Sequence, residues 1–129
     1  MQSNPDSAVK ATALRSLGDV LQLIGELERS LKTLEQSLSV STRLKSPQET
    51  SATLLSLGNV TLALANQENS EPDNTHALQS TPLRCINRPA DKNAIKFYQQ
   101  AAQYYIEAAK TSVSPLTQIK ARVNHFSIL

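Results

Sequence analysis

His76 and Cys85 stand nine positions apart in this 129-residue chain and carry the side chains from which a thiol nucleophile is usually assembled. A thiolate beside an imidazole needs a third group to orient the base and donors aimed at an oxyanion. Neither is evident here. Both residues sit in a stretch of scattered polar residues and prolines, 67–90 (QENSEPDNTHALQSTPLRCINRPA), and are expected to be solvated loop side chains. His125 lies among apolar neighbours on the final helix, where packing or exposure on a helix face, and not ligation, is its expected role. Glu26 and Glu28 suit the dipole at the start of a helix and do not form a catalytic pair. Tyr98 and the Tyr104–Tyr105 pair fall on a helical stripe and are expected to pack. No phosphate-binding glycine loop, nucleophile elbow or metal-ligand spacing occurs. The residues therefore predict no catalytic, cofactor or metal site, and no enzyme.

Composition narrows the remaining classes. The chain is 40% hydrophobic, enough for one modest domain with a core, and only 4% aromatic without Trp, which argues against a large aromatic-lined pocket. Thirteen basic and eleven acidic residues leave a formal charge of +2, too small and too dispersed for nucleic acid or an anionic membrane. Cys85 is the single cysteine, so no intramolecular disulfide can form. Apolar runs are too short for a membrane span, and the first residues (MQSNPDSAVKATA) lack the apolar stretch of a signal peptide. The expectation is a soluble, cytoplasmic protein.

The elements that must position any surface are helices. Leu14, Leu17, Leu21 and Ile24 step by 3, 4 and 3, and after Gly25 a second stripe of Leu27, Leu31, Leu34 and Leu38 steps by 4, 3 and 4. Ser46, Pro47 and Glu49 read as a capping box opening a third helix over 47–66, through Leu54, Leu57 and Leu64. Periodicity then fails over 67–90, a loop long enough to be unusual inside a domain. Asp91 is placed to cap a fourth helix with the stripe Ile95, Tyr98, Ala102, Tyr105 and Ala109, and Ser114-Pro115 opens a fifth.

The stretch LRSLGDVL, from Leu14, has a near copy forty residues later, LLSLGNVT from Leu54. Each places glycine, which costs about 1 kcal/mol against alanine in a helix interior, at the same point of an apolar stripe. In the helices that follow, Ser30, Leu34 and Ser37 are paired with Ala94, Tyr98 and Ala101. Gly18 to Ser30 spans 12 residues and Gly58 to Ala94 spans 36, so the second unit carries 24 more, in its intra-hairpin turn. A third copy begins with Val123, Phe126 and Ser127, the small Ser standing for Gly.

These marks resemble the tetratricopeptide repeat family, with its large-x-x-Leu-Gly first helix and small-x-x-x-aromatic-x-x-small second helix. The resemblance implies an all-α fold of antiparallel hairpins stacked as an α-α superhelix of about two and a half repeats. Its single domain, 1–129, divides into unit one (5–45), unit two (47–112, with the inserted loop 67–90) and a partial unit three (115–129). The glycines then have a purpose, since small residues where hairpin helices cross let the backbones approach. The forty-residue unit, with Leu21 and Thr61 where the motif has a bulky Tyr, is similar to those of large bacterial proteins of this family that continue into a caspase-like CHAT domain.

Family resemblance also implies a partner groove lined by the first helices of each unit: Arg15, Asp19 and Gln22, then Leu55, Asn59 and Leu62, then Asn124. Asparagine amides both donate and accept, as a bound peptide backbone requires. A clamp for the acidic C-termini of heat-shock chaperones is not expected. Asp19 stands where such clamps resemble one another in having Asn, and Asn124 and Ile128 where they have basic residues. The expected function is non-catalytic binding of a protein or peptide partner. The alternative is a regulatory or remnant segment of a CHAT-type peptidase, and a small helical enzyme is disfavoured for want of a convergent polar cluster. Phe126, Ile128 and Leu129 end the last helix without a covering partner, so either self-association through this end or marginal stability is expected.

Overall fold

The computed structural model describes residues 7–68, 92–112 and 114–128. They form five helices and no strand: α1 (Ala8–Leu23), α2 (Leu27–Arg43), α3 (Pro47–Glu68), α4 (Lys92–Thr111) and α5 (Pro115–Ile128). His76, Cys85, Asp91 and nearly all of the 67–90 insertion lie outside the described residues. The third helix runs two residues past its expected end at Asn66, so Gln67 and Glu68 belong to α3 and not to the insertion.

Local chemistry sets the helix ends. Ser7, in extended conformation, accepts the Lys10 N–H with its hydroxyl and caps α1. At the other end Gly25, at φ +88, lets the Glu26 N–H reach the Leu21 carbonyl and the Gly25 N–H reach Gln22, a Schellman closure. α2 closes in the same way, Ser46 N–H to Ser41 and Lys45 N–H to Thr42, but with Lys45 in the left-handed region at φ 56. That closure alters the expected capping box. The Ser46 hydroxyl accepts the Glu49 N–H at 3.3 Å, but the Ser46 N–H is already used, and the Glu49 carboxylate turns to Arg15 instead.

α1 pairs with α2 and α3 with α4, while α2 against α3 and α4 against α5 join the hairpins. α1 also reaches α3, and α3 reaches α5; among the described residues the backbones of α2 and α4 stay further apart, and their side chains meet only around the shared clusters, through Leu38 and Tyr104. α3 is central and is buried on several sides, from Leu54, Leu57 and Leu64 to Thr53, Val60 and Ala65. Leu34, Leu57 and Val60 form one core cluster, and Leu54, Ala108 and Ala121 a second that ties in α4 and α5.

Small residues govern the closest approaches. A Cβ on Gly18 would lie 2.5 Å from Leu34 Cγ, and one on Gly58 would lie 2.6 Å from Tyr105 Cδ1. α2 contributes three buried serines, and each hydroxyl is bonded. Ser30 donates to the Gly18 carbonyl at 2.6 Å, Ser37 donates to the Ala11 carbonyl at 2.8 Å, and Ser41 donates to Leu38 at 3.1 Å.

Two expectations about faces are corrected. Leu17 and Ile24 are 50% and 65% exposed, because α1 meets α2 along Ala11, Gly18 and Leu21. On α4 the buried line is Ala94, Ala101, Tyr105 and Ala108, one residue round from the stripe through Ile95, Ala102 and Ala109. The repeat register is corrected as well. Gly58 faces Tyr105 as Gly18 faces Leu34, so Ser30, Leu34 and Ser37 correspond to Ala101, Tyr105 and Ala108, seven residues beyond the expected set. Gly58 to Ala101 spans 43 residues against 12 in the first unit, and the second unit is 31 residues longer. Ala121 of α5 joins Ala108 and Leu54 in one cluster, and the Thr53 and Ser37 hydroxyls meet at 3.1 Å. Ser127 is exposed and donates back to the Asn124 carbonyl.

Candidate functional site

The seven residues expected to line a partner groove lie on α1, α3 and α5, the three helices that contact one another in series, and all seven are half-buried. They divide into those whose side chains are engaged with neighbouring helices and those that are not among the described residues. Arg15 Nε lies 3.6 Å from Glu49 Oε1, and both atoms are shielded from solvent without a hydrogen bond among the described residues. This ion pair spans α1 and α3. Asn59 sits at the meeting of three helices: its Oδ1 accepts the Tyr105 hydroxyl at 2.7 Å from α4 and the Asn124 amide at 3.1 Å from α5. Leu55 packs against the cluster of Leu54, Ala108 and Ala121. Asp19, Gln22 and Leu62 make no such side-chain bond among the described residues.

The structure therefore brings Asn59 and Asn124 together and holds Arg15 through a residue the sequence reading assigned elsewhere. Two contributors were missed in this role. Glu49 was assigned wholly to capping, and the spacing of Arg15 and Glu49, 34 residues apart, gives no signal of their pairing. Tyr105 was assigned to packing, which its ring does, but its hydroxyl also fixes Asn59. Burial pushes the Tyr105 hydroxyl up to about 12. Tyr104 is raised too, first by burial and then by the charge of Glu35. Both phenols are thus held as neutral hydrogen-bonding groups.

Other chemistry is sparse. Glu26 and Arg29 form an exposed ion pair at 3.8 Å, and no cluster of His, Cys, Asp and Glu able to hold a metal occurs among the described residues. His125 lines a cleft of about 260 Å³ between α4 and α5 together with Lys110 and Arg122. A second cleft, of about 320 Å³, lies between α1 and α2 and is bordered by Lys10, Leu14 and Val40. Neither sets a nucleophile beside a base. No described helix is long and apolar enough to cross a membrane.

Compared with family models, curated proteins and solved structures, the chain matches none.

Proposed function

We propose that the protein is a non-catalytic interaction module of tetratricopeptide-like helical hairpins, binding a protein or peptide partner on the face shared by α1, α3 and α5. The packing order supports the reading: among the described residues the backbones of α1, α3 and α5 approach in series, while those of α2 and α4 stay apart. Hairpins stacked in this way curve toward the side where neighbours touch, and repeat arrays use such concave surfaces for binding. Asn59, which accepts from both Tyr105 and Asn124, gives that face a fixed polar centre. Asp19, Gln22 and Leu62 offer one charge, one amide and one apolar contact toward a partner.

Affinity capture from a lysate of the source cells tests the proposal. Asp19→Arg and Leu62→Asp should each reduce recovery of the specific partner by about tenfold or more, the effect of losing about 1.4 kcal/mol of binding. Helicity by circular dichroism should stay unchanged. Full capture by both variants would remove the α1–α3–α5 face from consideration.

A further inference from the structure

We propose that the outer face of α5, with the cleft between α4 and α5, binds an amphipathic helix of a partner protein whose apolar stripe is flanked by Glu or Asp. The inference rests on the interaction reading above but uses a different surface.

Four large apolar side chains stand out on α5. Leu116, Ile119, Val123 and Phe126 are 61, 59, 60 and 76% exposed, and their steps of 3, 4 and 3 align them in one stripe. α1 and α3 each have an antiparallel helix, α2 or α4, packed along them, whereas among the described residues α5 is held on one side only, by α4 and α3. The surface left open is thus shaped to receive a helix, and its 3–4 stripe calls for an apolar face of the same period.

Charge identifies the flanks of that helix. α5 carries Lys120 and Arg122 and no carboxylate. Lys110 and Arg122 border the cleft, His125 lines it, and Ile106 and Ala109 give it an apolar wall. Among the described residues no carboxylate pairs with Lys110, Lys120 or Arg122. A glutamate on the docking helix, reaching the cleft mouth, would meet an ammonium and a guanidinium, with the imidazole as a further donor. The same charges disfavour a second copy. A two-fold pairing of α5 with itself would bring Lys120 and Arg122 of both copies together, and like charges across an interface oppose association. A formal charge of only +2 over the whole chain gives little attraction to an anionic membrane.

The probes are two labelled helical peptides with leucines at the same spacing, one flanked by glutamates and its twin by lysines, titrated by fluorescence anisotropy. The glutamate peptide should bind at least about tenfold more tightly than its twin. Val123→Asp with Phe126→Asp should abolish binding with helicity retained, since both side chains are exposed. Lys110→Glu with Arg122→Glu should reverse the preference between the peptides. Asp19→Arg and Leu62→Asp should leave it unchanged, which separates this surface from the α1–α3–α5 face. Four results would overturn the proposal: no binding, equal binding of both peptides, binding insensitive to the α5 variants, or dependence on the α1–α3–α5 variants. Two further results would give the face to another occupant and so also overturn it. One is association with phosphatidylserine vesicles, and the other a concentration-dependent dimer, lost in the Val123→Asp, Phe126→Asp variant.

Discussion

Gly58 lies beneath the Tyr105 ring, and the two must be understood together. An added Cβ would collide with a fully buried ring that has little freedom to withdraw. Overpacking of this kind costs about 1–3 kcal/mol, against about 1 kcal/mol gained in helix propensity. Gly58→Ala should therefore be destabilised by up to about 2 kcal/mol in chemical denaturation, where alanine at an uncrowded helix position would stabilise. Tyr105 also makes stability depend on alkaline pH. Its folded hydroxyl is raised from 10.0 to about 12, so the stabilisation is complete below pH 10 and is lost as pH rises toward 12. Tyr105→Phe should cost about 1 kcal/mol near neutrality through the lost bond to Asn59, and should show a shallower decline between pH 10 and 12. Melts across that range check both. The sequence exposed the role of the glycines but not which residue fills the space above the second one. Ala94, Tyr98 and Ala101 fit the small-aromatic-small spacing, and so do Ala101, Tyr105 and Ala108 seven residues on, two turns of the same helix. Only the contact with Gly58 separates them.

The turn between α2 and α3 offers a test at the level of elements. Lys45 takes the left-handed conformation that Gly25 takes in the preceding turn, and a side chain there costs about 1–2 kcal/mol. Lys45→Gly relieves that strain but loosens the unfolded chain, for a net gain of about 0.5–1 kcal/mol. Gly25→Ala should show the opposite sign by about 1 kcal/mol. A thermal scan in which the two changes have the same sign would contradict this account of the turns. The helices themselves were legible because stripes stepping by three and four, Ser-Pro starts and Gly25 all act locally. The faces were less so. Hydrophobicity pointed to Leu17 and Ile24, but the closest packing line runs through Ala11 and Gly18, where backbones can meet. Size, more than apolarity, selects the buried face here. The α3 stripe was read correctly, since a central helix buries its large residues in either case.

At the scale of the molecule, α1, α3 and α5 form one connected row, and Arg15–Glu49 and Asn59–Asn124 tie its members together. Apolar stripes that step by three and four, with no alternating segment, made the all-helical class readable from sequence. The cross-helix pairs were not readable, because they join residues 34 and 65 positions apart without a local signature. They also sharpen the choice of test residues. Arg15, Asn59 and Asn124 bond to neighbouring helices, so substituting them is expected to perturb stability, whereas Asp19, Gln22 and Leu62 make no such side-chain bond among the described residues and are the better probes of the proposed binding. The most direct measurement is amide hydrogen exchange of the protein, free and saturated with its captured partner. The account predicts added protection on α1 and α3 around Asp19, Gln22 and Leu62, extending to Asn124 on α5, with α2 and the outer side of α4 unchanged. Protection confined to α2 and α4, with none on α1 or α3, would contradict it.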